Sequence, residues 1–266
     1  MEKMIERIDT LEIKMREVIS KDSQILDQLT DLFSDIEIED DQFVDFSIRT
    51  LLEFYSTLFV TKIESEIFDK AKSHEEAGNY KEFINELMDL YSVLYITLNV
   101  TCKDLKGLYR KINVPLSYPL PLTVSTILAS INVKNNYSVE LIDSEDTSFK
   151  FIDDDEENDT LLNISNYPTT ILSVMQKAKL IYGVKEKWEF EILAGKIFED
   201  IDADGDAKII KADGAGIFEE QKKELIDALN GKNDELFKIF NDVNLDKLND
   251  DLFNKSVEIF NRYVEN

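Results

Sequence analysis

The sequence predicts a mainly α-helical protein, a multi-helix bundle with a long N-terminal heptad helix and a small β-hairpin insertion. Three observations favour this fold class. The 266 residues include only 8 Gly and 4 Pro, and such a scarcity of helix breakers is typical of long helices. Apolar residues recur at helical spacing towards both ends of the chain, and strict alternation stands out only in a short central stretch. With 43% apolar residues, the chain is long enough to bury a substantial core.

The first 36 residues carry a heptad pattern. Its apolar side chains follow one another at steps of three and four, with an interruption at Asp22; they are Met1, Met4, Ile8, Leu11, Met15, Val18, Ile25, Leu29, Leu32 and Ile36. The stretch SKDSQ, residues 20–24, either divides the pattern into two helices, with Ser23 capping the second, or forms a polar layer within one helix. The pattern fits a helix packed on its own domain as well as an intermolecular coiled coil.

The order of the patterns predicts three domains. Residues 1–112 form a helical domain, in which the apolar stretch MDLYSVLYITLNV is read as part of a helix over 80–112. Residues 113–168 contain near their start VPLSYPLPL (114–122), a proline-rich boundary that cannot lie inside a helix. Residues 169–266 return to the helical pattern and form a C-terminal domain.

The central segment contains the predicted hairpin. Residues 137–143 (YSVELID) and 147–153 (TSFKFID) alternate between apolar and polar side chains, and a short turn connects them. The following DDDEEND, residues 153–159, is read as a solvated acidic loop, with the docking of a basic partner as the alternative.

The charge balance narrows the choice of partners. Acidic residues outnumber basic ones 55 to 30, which gives a formal net charge of -25. Nucleic acids and anionic membranes need Lys and Arg to neutralise their phosphates, so we expect neither as the main partner. The remaining partners are cations, basic protein surfaces and other protein subunits, including self-association through residues 1–36.

Side chains for catalysis are scarce. Cys102 is the only cysteine and His74 the only histidine, so a cysteine zinc cage, a disulfide within the chain and a multi-histidine metal site are excluded. No catalytic residue is predicted, and we expect the protein not to be an enzyme. The charged N-terminus does not fit a signal peptide, and no apolar run is long enough for a transmembrane helix; the expected location is therefore cytoplasmic or intracellular, with a virus particle as one setting.

Residues 202–213, DADGDAKIIKAD, place oxygen donors at regular steps. When Asp202 is counted as the first position, Asp204 and Asp206 occupy the third and fifth. The Lys208 carbonyl falls at the seventh and Asp213 at the twelfth. A calcium ion binds six to eight hard oxygens, and a loop with this spacing supplies them from one short segment.

This segment resembles the calcium loop of an EF-hand, or of a dockerin, which also uses Asp at the last position. Ile209 occupies the eighth position, where EF-hands carry a core-facing aliphatic residue, and Phe198 and Ile201 match the apolar anchors of an entering helix. Ala207 stands where the family has Gly. The resemblance implies a helix–loop–helix and a bound Ca2+, whereas the alternative is a plain turn in an aspartate-rich chain.

The missing catalytic signatures and the heptad pattern predict a non-enzymatic structural or assembly protein that acts through protein–protein contacts in a larger complex. An amino-acid composition low in Gly and rich in Lys, Asn, Ile and Asp is typical of proteins from AT-rich genomes. Many acidic proteins without recognisable motifs belong to phage virions or tails. The alternatives are a calcium-binding interaction module and an enzyme of unrecognised class.

Overall fold

The computed structural model describes residues 2–34, 39, 41–61, 63, 65–135, 137–150, 162–163, 169, 171–184, 186–219 and 221–264. The chain divides into two compact units. Unit 1 comprises Met1–Leu94 with Phe198–Ala203, and unit 2 comprises Tyr95–Ile197 with Asp204–Asn266. The chain first passes between the units within the predicted domain 1–112, and the predicted segment 113–168 lies in unit 2 together with most of 169–266.

Unit 1 is helical. Its helices are α1 (Glu2–Ile19), α2 (Ser23–Leu32), α3 (Phe43–Thr61), α4 (Glu66–Ala77) and α5 (Tyr80–Val93). The Asp22 carboxylate accepts a hydrogen bond from the Gln24 N–H and caps α2. The stretch 20–24 therefore divides the heptad pattern into two helices, with Asp22 rather than Ser23 as the cap.

The heptad seam packs within its own unit. Leu11, Met15, Ile25 and Leu29 are at most 2% exposed, and α1 contacts α3 and α5 while α2 contacts α5. Ile8, Val18 and Leu32 are half-buried, whereas Met1, Ile36 and the side chain of Met4 lie outside the described part. The pattern is thus the core seam of a helical unit, as the first of its two readings predicted.

A polar cluster lies inside unit 1. The guanidinium of Arg7 on α1 donates two hydrogen bonds to the carboxylate of Glu75 on α4. The Tyr55 hydroxyl on α3 donates to the same carboxylate over 2.6 Å. The Glu75 side chain is only 9% exposed, and burial together with this hydrogen bond raises the pKa of Tyr55. Glu75 therefore joins three helices through one buried charge.

Unit 2 is built on a sheet. Its strands are β1 (Leu94–Cys102), β2 (Tyr109–Pro115), β3 (Val139–Ile142), β4 (Ser148–Lys150), β5 (Leu162–Asn163), β6 (Lys177–Tyr182), β7 (Trp188–Glu199) and β8 (Lys208–Asp213). They form one eight-stranded sheet in the order β5-β4-β3-β6-β7-β1-β2-β8. The pair β4–β5 is parallel, and the pairs β1–β2, β2–β8, β3–β4, β3–β6 and β6–β7 are antiparallel.

Unit 2 also contains helices. They are α6 (Leu120–Ser130), α7 (Ile171–Met175), α8 (Lys222–Asp227), α9 (Asp234–Asn241), α10 (Leu245–Asp250) and α11 (Leu252–Val264), with a π-helical turn at Ala228–Lys232. Helix α6 contacts β2, and α11 packs along α6. Of the prolines in VPLSYPLPL, Pro115 ends β2. Pro119 is the N-cap of α6 and Pro121 lies in its first turn, where a fixed φ suits a helix N-terminus.

The prediction of a mainly α bundle is wrong, because the chain combines helices with a large, mostly antiparallel sheet. The predicted helix over 80–112 ends at Val93, and β1 follows directly. Within β1, buried Ile96, Leu98 and Val100 alternate with more exposed polar residues, and several β-branched side chains favour a strand. The helical period of α5 runs into this alternation without a breaker, which is why one long helix was predicted.

The C-terminal domain 169–266 was also predicted as helical, but it contributes β6, β7 and β8 before its helices begin. Trp188, Phe190 and Ile192 are buried and alternate with half-buried glutamates. This period of two belongs to a strand with one covered face. The central hairpin is confirmed, since β3 and β4 pair with Leu141 opposite Phe149; the acidic loop 153–159 lies outside the described residues.

The end strand β8 has a covered edge. The Asn249 carboxamide on α10 accepts a hydrogen bond from the Ile209 N–H over 2.7 Å and donates one to the Ile209 carbonyl over 3.0 Å. It occupies the two backbone groups of Ile209 that a further strand would use, and covering an edge in this way disfavours strand addition. In the described parts of the chain, no helix is both long and apolar enough to cross a bilayer.

The polar cluster of unit 1 yields a stability prediction. Glu75→Ala leaves Arg7 and Tyr55 without their acceptor, and we expect it to lower the free energy of unfolding by about 3 kcal/mol. Glu76→Ala, which removes the neighbouring exposed glutamate, should change it by less than about 0.5 kcal/mol. Urea denaturation of both variants measures the difference, and equal midpoints would show that the buried charge does not join the helices.

Candidate functional site

The predicted calcium loop connects two strands. Strand β7 ends at Glu199 and β8 begins at Lys208, so residues 200–207 form a turn between strands, and the helix–loop–helix of the resemblance is absent at this place. Ile201, expected as a core anchor, is 75% exposed. Ile209 is buried, as expected for its position. The residue with a left-handed backbone in this turn is Gly205, with φ +87°, and not Ala207, which occupies the glycine position of the EF-hand pattern.

The structure places the predicted ligands in different settings. Asp202 and Asp204 are exposed, and the Asp204 carboxylate accepts a hydrogen bond from the Asp206 N–H over 3.3 Å. Asp206 is half-buried, and the Tyr118 hydroxyl donates to its carboxylate over 3.5 Å. Burial, followed by the nearby charge of Asp204, raises the pKa of Asp206.

Lys208 and Asp213 are the two ends of β8. Five residue steps along an extended strand span about 17 Å, so the Lys208 carbonyl and the Asp213 carboxylate cannot ligate one ion together. Among the described residues, no group of three or more Asp, Glu, His or Cys side chains is arranged to hold a metal ion. A calcium ion at this turn would need its ligands from the Asp204 and Asp206 side, and its presence stays a prediction.

The surface of the sheet around β8 provides a second candidate site. Strands β1, β2 and β8 expose or half-expose one set of alternating side chains, which we call the open face: Thr97, Asn99, Thr101, Tyr109, Lys111, Asn113, Lys208, Lys211 and Asp213. The other set points into the core, where Leu98, Ile112 and Ile209 are at most 1% exposed. Alternation along a strand therefore separates a packed side from an accessible one.

The strand register arranges the open face in three rows. One row runs Thr97, Asn113, Lys208; the next runs Asn99, Lys111, Lys211; the third runs Thr101, Tyr109, Asp213. Side-chain hydrogen bonds connect β1 with β2. The Thr97 hydroxyl donates to Asn113 Oδ1 over 2.9 Å, and the Tyr109 hydroxyl donates to Asn99 Oδ1 over 2.7 Å.

Arg110 supports this arrangement from the core side of β2. Its side chain is fully buried. Nε donates to the Ser130 carbonyl at the end of α6 over 2.7 Å, and Nη1 donates over 2.8 Å to each of the carbonyls of Tyr109 and Asp213. Burial lowers the pKa of Arg110 to about 10. The carbonyl end of a helix favours a cation, so one guanidinium fastens α6, β2 and β8 together.

Sequence reasoning missed the open face. The alternation of YRKINVP is hidden because Arg110 occupies an inward position, where a charged residue rarely lies. In KIIKAD the alternation is broken by an irregularity, since Lys111 pairs with Lys211 while Ile112 pairs with Ile209. The signal in the sequence was the Thr and Asn residues on alternate positions of β1. Recognising β1 as a strand would have revealed this surface.

Comparison with known proteins identifies no family for the chain. No protein-family model matches it, and no curated protein matches it. Among solved structures, it is similar to a protein of unknown function from Methanosarcina mazei Go1, with 14% identity and a TM-score of 0.45 over 57% of this chain and 93% of that one. A likeness at this level carries no conclusion about what the chain does.

The buried guanidinium yields a prediction about the sheet. Arg110→Met removes the donor from the carbonyls of Ser130 and Asp213, and an unsatisfied buried acceptor costs about 1 to 3 kcal/mol. We expect a loss of about 3 kcal/mol in the free energy of unfolding. Arg49→Met, on an exposed helical position, is the matched control and should be nearly neutral. If chemical denaturation shows the same stability for both variants, Arg110 does not fasten these elements.

Asp206 yields a pH prediction. Because its pKa is raised in the folded protein, the folded state keeps this proton to higher pH than the unfolded chain does. The ionised carboxylate therefore lowers stability at neutral pH, and the loss disappears as the pH falls below the ordinary range of Asp. Asp206→Asn should raise the melting temperature at pH 7, by the equivalent of less than about 1 kcal/mol, and leave it unchanged near pH 3 (about one unit below the ordinary pKa).

The same variant tests for calcium. If the turn binds Ca2+, calcium chloride will raise the melting temperature of the wild type and not that of Asp206→Asn, because a ligand stabilises only the state that binds it. Asp250→Asn, at an exposed site on α10, controls for general charge effects. A wild-type melting temperature that does not respond to calcium would contradict an ion at this turn.

Proposed function

We propose that the chain is a non-enzymatic assembly protein that acts through protein–protein contacts in a larger complex, such as a phage virion or tail, and that the open face is its contact surface. The observation that carries this proposal is an accessible, polar sheet face on which four side chains are fixed in two pairs by cross-strand hydrogen bonds.

Fixed side chains favour this use. Ordering a flexible side chain on association costs free energy, and a surface that is ordered beforehand avoids part of that cost. Thr97, Asn99, Tyr109 and Asn113 are held in pairs across β1 and β2. On the core side, Arg110 donates to the backbone carbonyls of Tyr109 in β2 and Asp213 in β8. The open face is thus a preorganised platform on a sheet rather than a set of mobile loops.

The β8 edge of the sheet offers a less suitable contact. A partner that adds a strand needs free N–H and carbonyl groups along the edge. At β8, Asn249 already holds both groups of Ile209. We therefore propose contact through the side chains of the face. Self-association through residues 1–36 would have to use the outer side of α1, where Ile13 is 59% exposed, because the inner side packs in unit 1.

A calcium-binding module is the second candidate function. It is favoured by Asp206, whose carboxylate lies near that of Asp204 and has a raised pKa. A cation between two carboxylates would relieve their repulsion. In this reading the ion would stabilise the turn before β8 and so one border of the open face.

Site-specific photocrosslinking tests the contact surface. A photoreactive phenylalanine at Thr101 lies on the open face, whereas one at Asn254 lies on an exposed position of α11. In cells that make the native complex, we expect a discrete crosslinked product from Thr101 and none of the same mass from Asn254. The product should disappear when Lys111→Glu and Lys211→Glu are added. The same product from both positions, or no product from Thr101, would contradict the proposal.

A further inference from the structure

The open face concentrates positive charge in a strongly acidic chain. Lys111 on β2 lies directly opposite Lys211 on β8, and Lys208 belongs to the adjacent row. Like charges directly opposite each other across a sheet destabilise the pairing. The chain carries a formal charge of -25, yet the register places three lysines on neighbouring positions of the open face. An anionic partner would complement their charge.

The carboxylates near this lysine cluster neutralise it weakly. Lys211 Nζ lies 3.6 Å from Asp213, with side chains 63% and 53% exposed. Lys208 Nζ lies 3.9 Å from Asp204, with side chains 61% and 63% exposed. Ion pairs that are this exposed contribute little. Within the described part of the chain, Lys111 has no carboxylate within ion-pair distance.

The neutral side chains around the lysines also favour an acceptor-rich partner. The oxygens of Asn99 and Asn113 already accept the hydroxyl hydrogens of Tyr109 and Thr97. An engaged carboxamide oxygen leaves the NH2 group as the remaining hydrogen-bonding group, and no described hydrogen bond uses either one. Lysine ammonium groups and amide NH2 groups therefore face outwards together, and both are donors.

Carboxylates match this surface better than phosphate chains do. A nucleic acid carries its charge well beyond the cluster, and the acidic remainder of the chain would repel it. Tyr109 is the single aromatic residue of the open face. Its hydroxyl donates to Asn99, and the Lys211 ammonium lies 5.6 Å from the centre of its ring. A short acidic segment needs only the cluster itself, because salt screens the more distant charges over about 8 Å.

We propose that the cluster of Lys111, Lys211 and Lys208 docks an extended acidic segment of a partner protein, whose Glu or Asp carboxylates accept hydrogen bonds from the three ammonium groups and from the NH2 groups of Asn99 and Asn113. The segment lies across β1, β2 and β8 on the open face. This inference rests on the proposed function, since it names the chemistry of the partner at the same surface.

Fluorescence anisotropy with a labelled hexaglutamate peptide tests the proposal on the full-length chain. We expect saturable binding that weakens with salt and that falls by about tenfold in the variant Lys111→Gln, Lys211→Gln, because two charge-assisted hydrogen bonds are lost. The control variant Lys238→Gln, Lys255→Gln removes two exposed lysines from the C-terminal helices and should bind as the wild type does. Circular dichroism confirms that each variant is folded.

Three results would overturn the proposal: no binding of hexaglutamate at low salt, equal weakening in the two double variants, or tighter binding of an oligothymidylate of the same charge. The photocrosslink from Thr101 separates this failure from that of the proposed function. A crosslink without hexaglutamate binding would mean that the open face contacts a partner through other chemistry, whereas the absence of both would remove the contact surface itself.

Discussion

The Arg110 guanidinium is the interaction on which the sheet of unit 2 depends. It is buried, forms no ion pair within the described part of the chain, and donates hydrogen bonds to carbonyls of α6, β2 and β8. A buried cation is costly unless it is well hydrogen-bonded, so the position is stable only while these elements keep their places. The hydrogen bonds of Nη1 to the carbonyls of Tyr109 and Asp213 therefore fix β8 against β2, while Nη2 is buried without a partner among the described residues. These hydrogen bonds lie next to the irregularity in the pairing of β2 with β8, where a shift of register would otherwise cost the least free energy.

The character of the open face follows from this constraint. Because side chains alternate along a strand, an inward Arg110 turns Tyr109 and Lys111 outwards. The pairing with β8 then sets Lys211 opposite Lys111. Lys211 also lies 3.6 Å from Asp213 in the next row. The proposed contact surface uses this pair of lysines together with the amide donors around it.

Helices were easier to predict from the sequence than strands. The seam of α1 and α2 and the β3–β4 hairpin follow from clear periods in apolar residues, and both are present. Strands β1, β2 and β8 escaped prediction for separate physical reasons: β1 continues a helical pattern, β2 hides a charged residue in its core, and β8 contains an extra residue. Each depends on long-range pairing that a local period does not contain.

The candidate site shows the same limit. The spacing of the aspartates predicted a calcium loop that ends at Asp213. It could not reveal that residues 208–213 form an extended strand paired with β2. The lysines of the open face are far apart in sequence, and only the folded sheet brings Lys111 beside Lys211. Composition predicted partners other than nucleic acid, and it gave no indication of where on the chain they would bind.

Disulfide trapping tests most directly whether Arg110 sets this register. In a chain carrying Cys102→Ala, the pair Lys111→Cys and Lys211→Cys should oxidise to an intramolecular disulfide, because residues directly opposite in a sheet lie within disulfide distance. The pair Lys111→Cys and Ala212→Cys should not, because Ala212 lies opposite the inward Arg110. Arg110→Met should slow the first reaction. Equal oxidation of the two pairs, or a rate that Arg110→Met leaves unchanged, would contradict the dependence of the open face on the buried guanidinium.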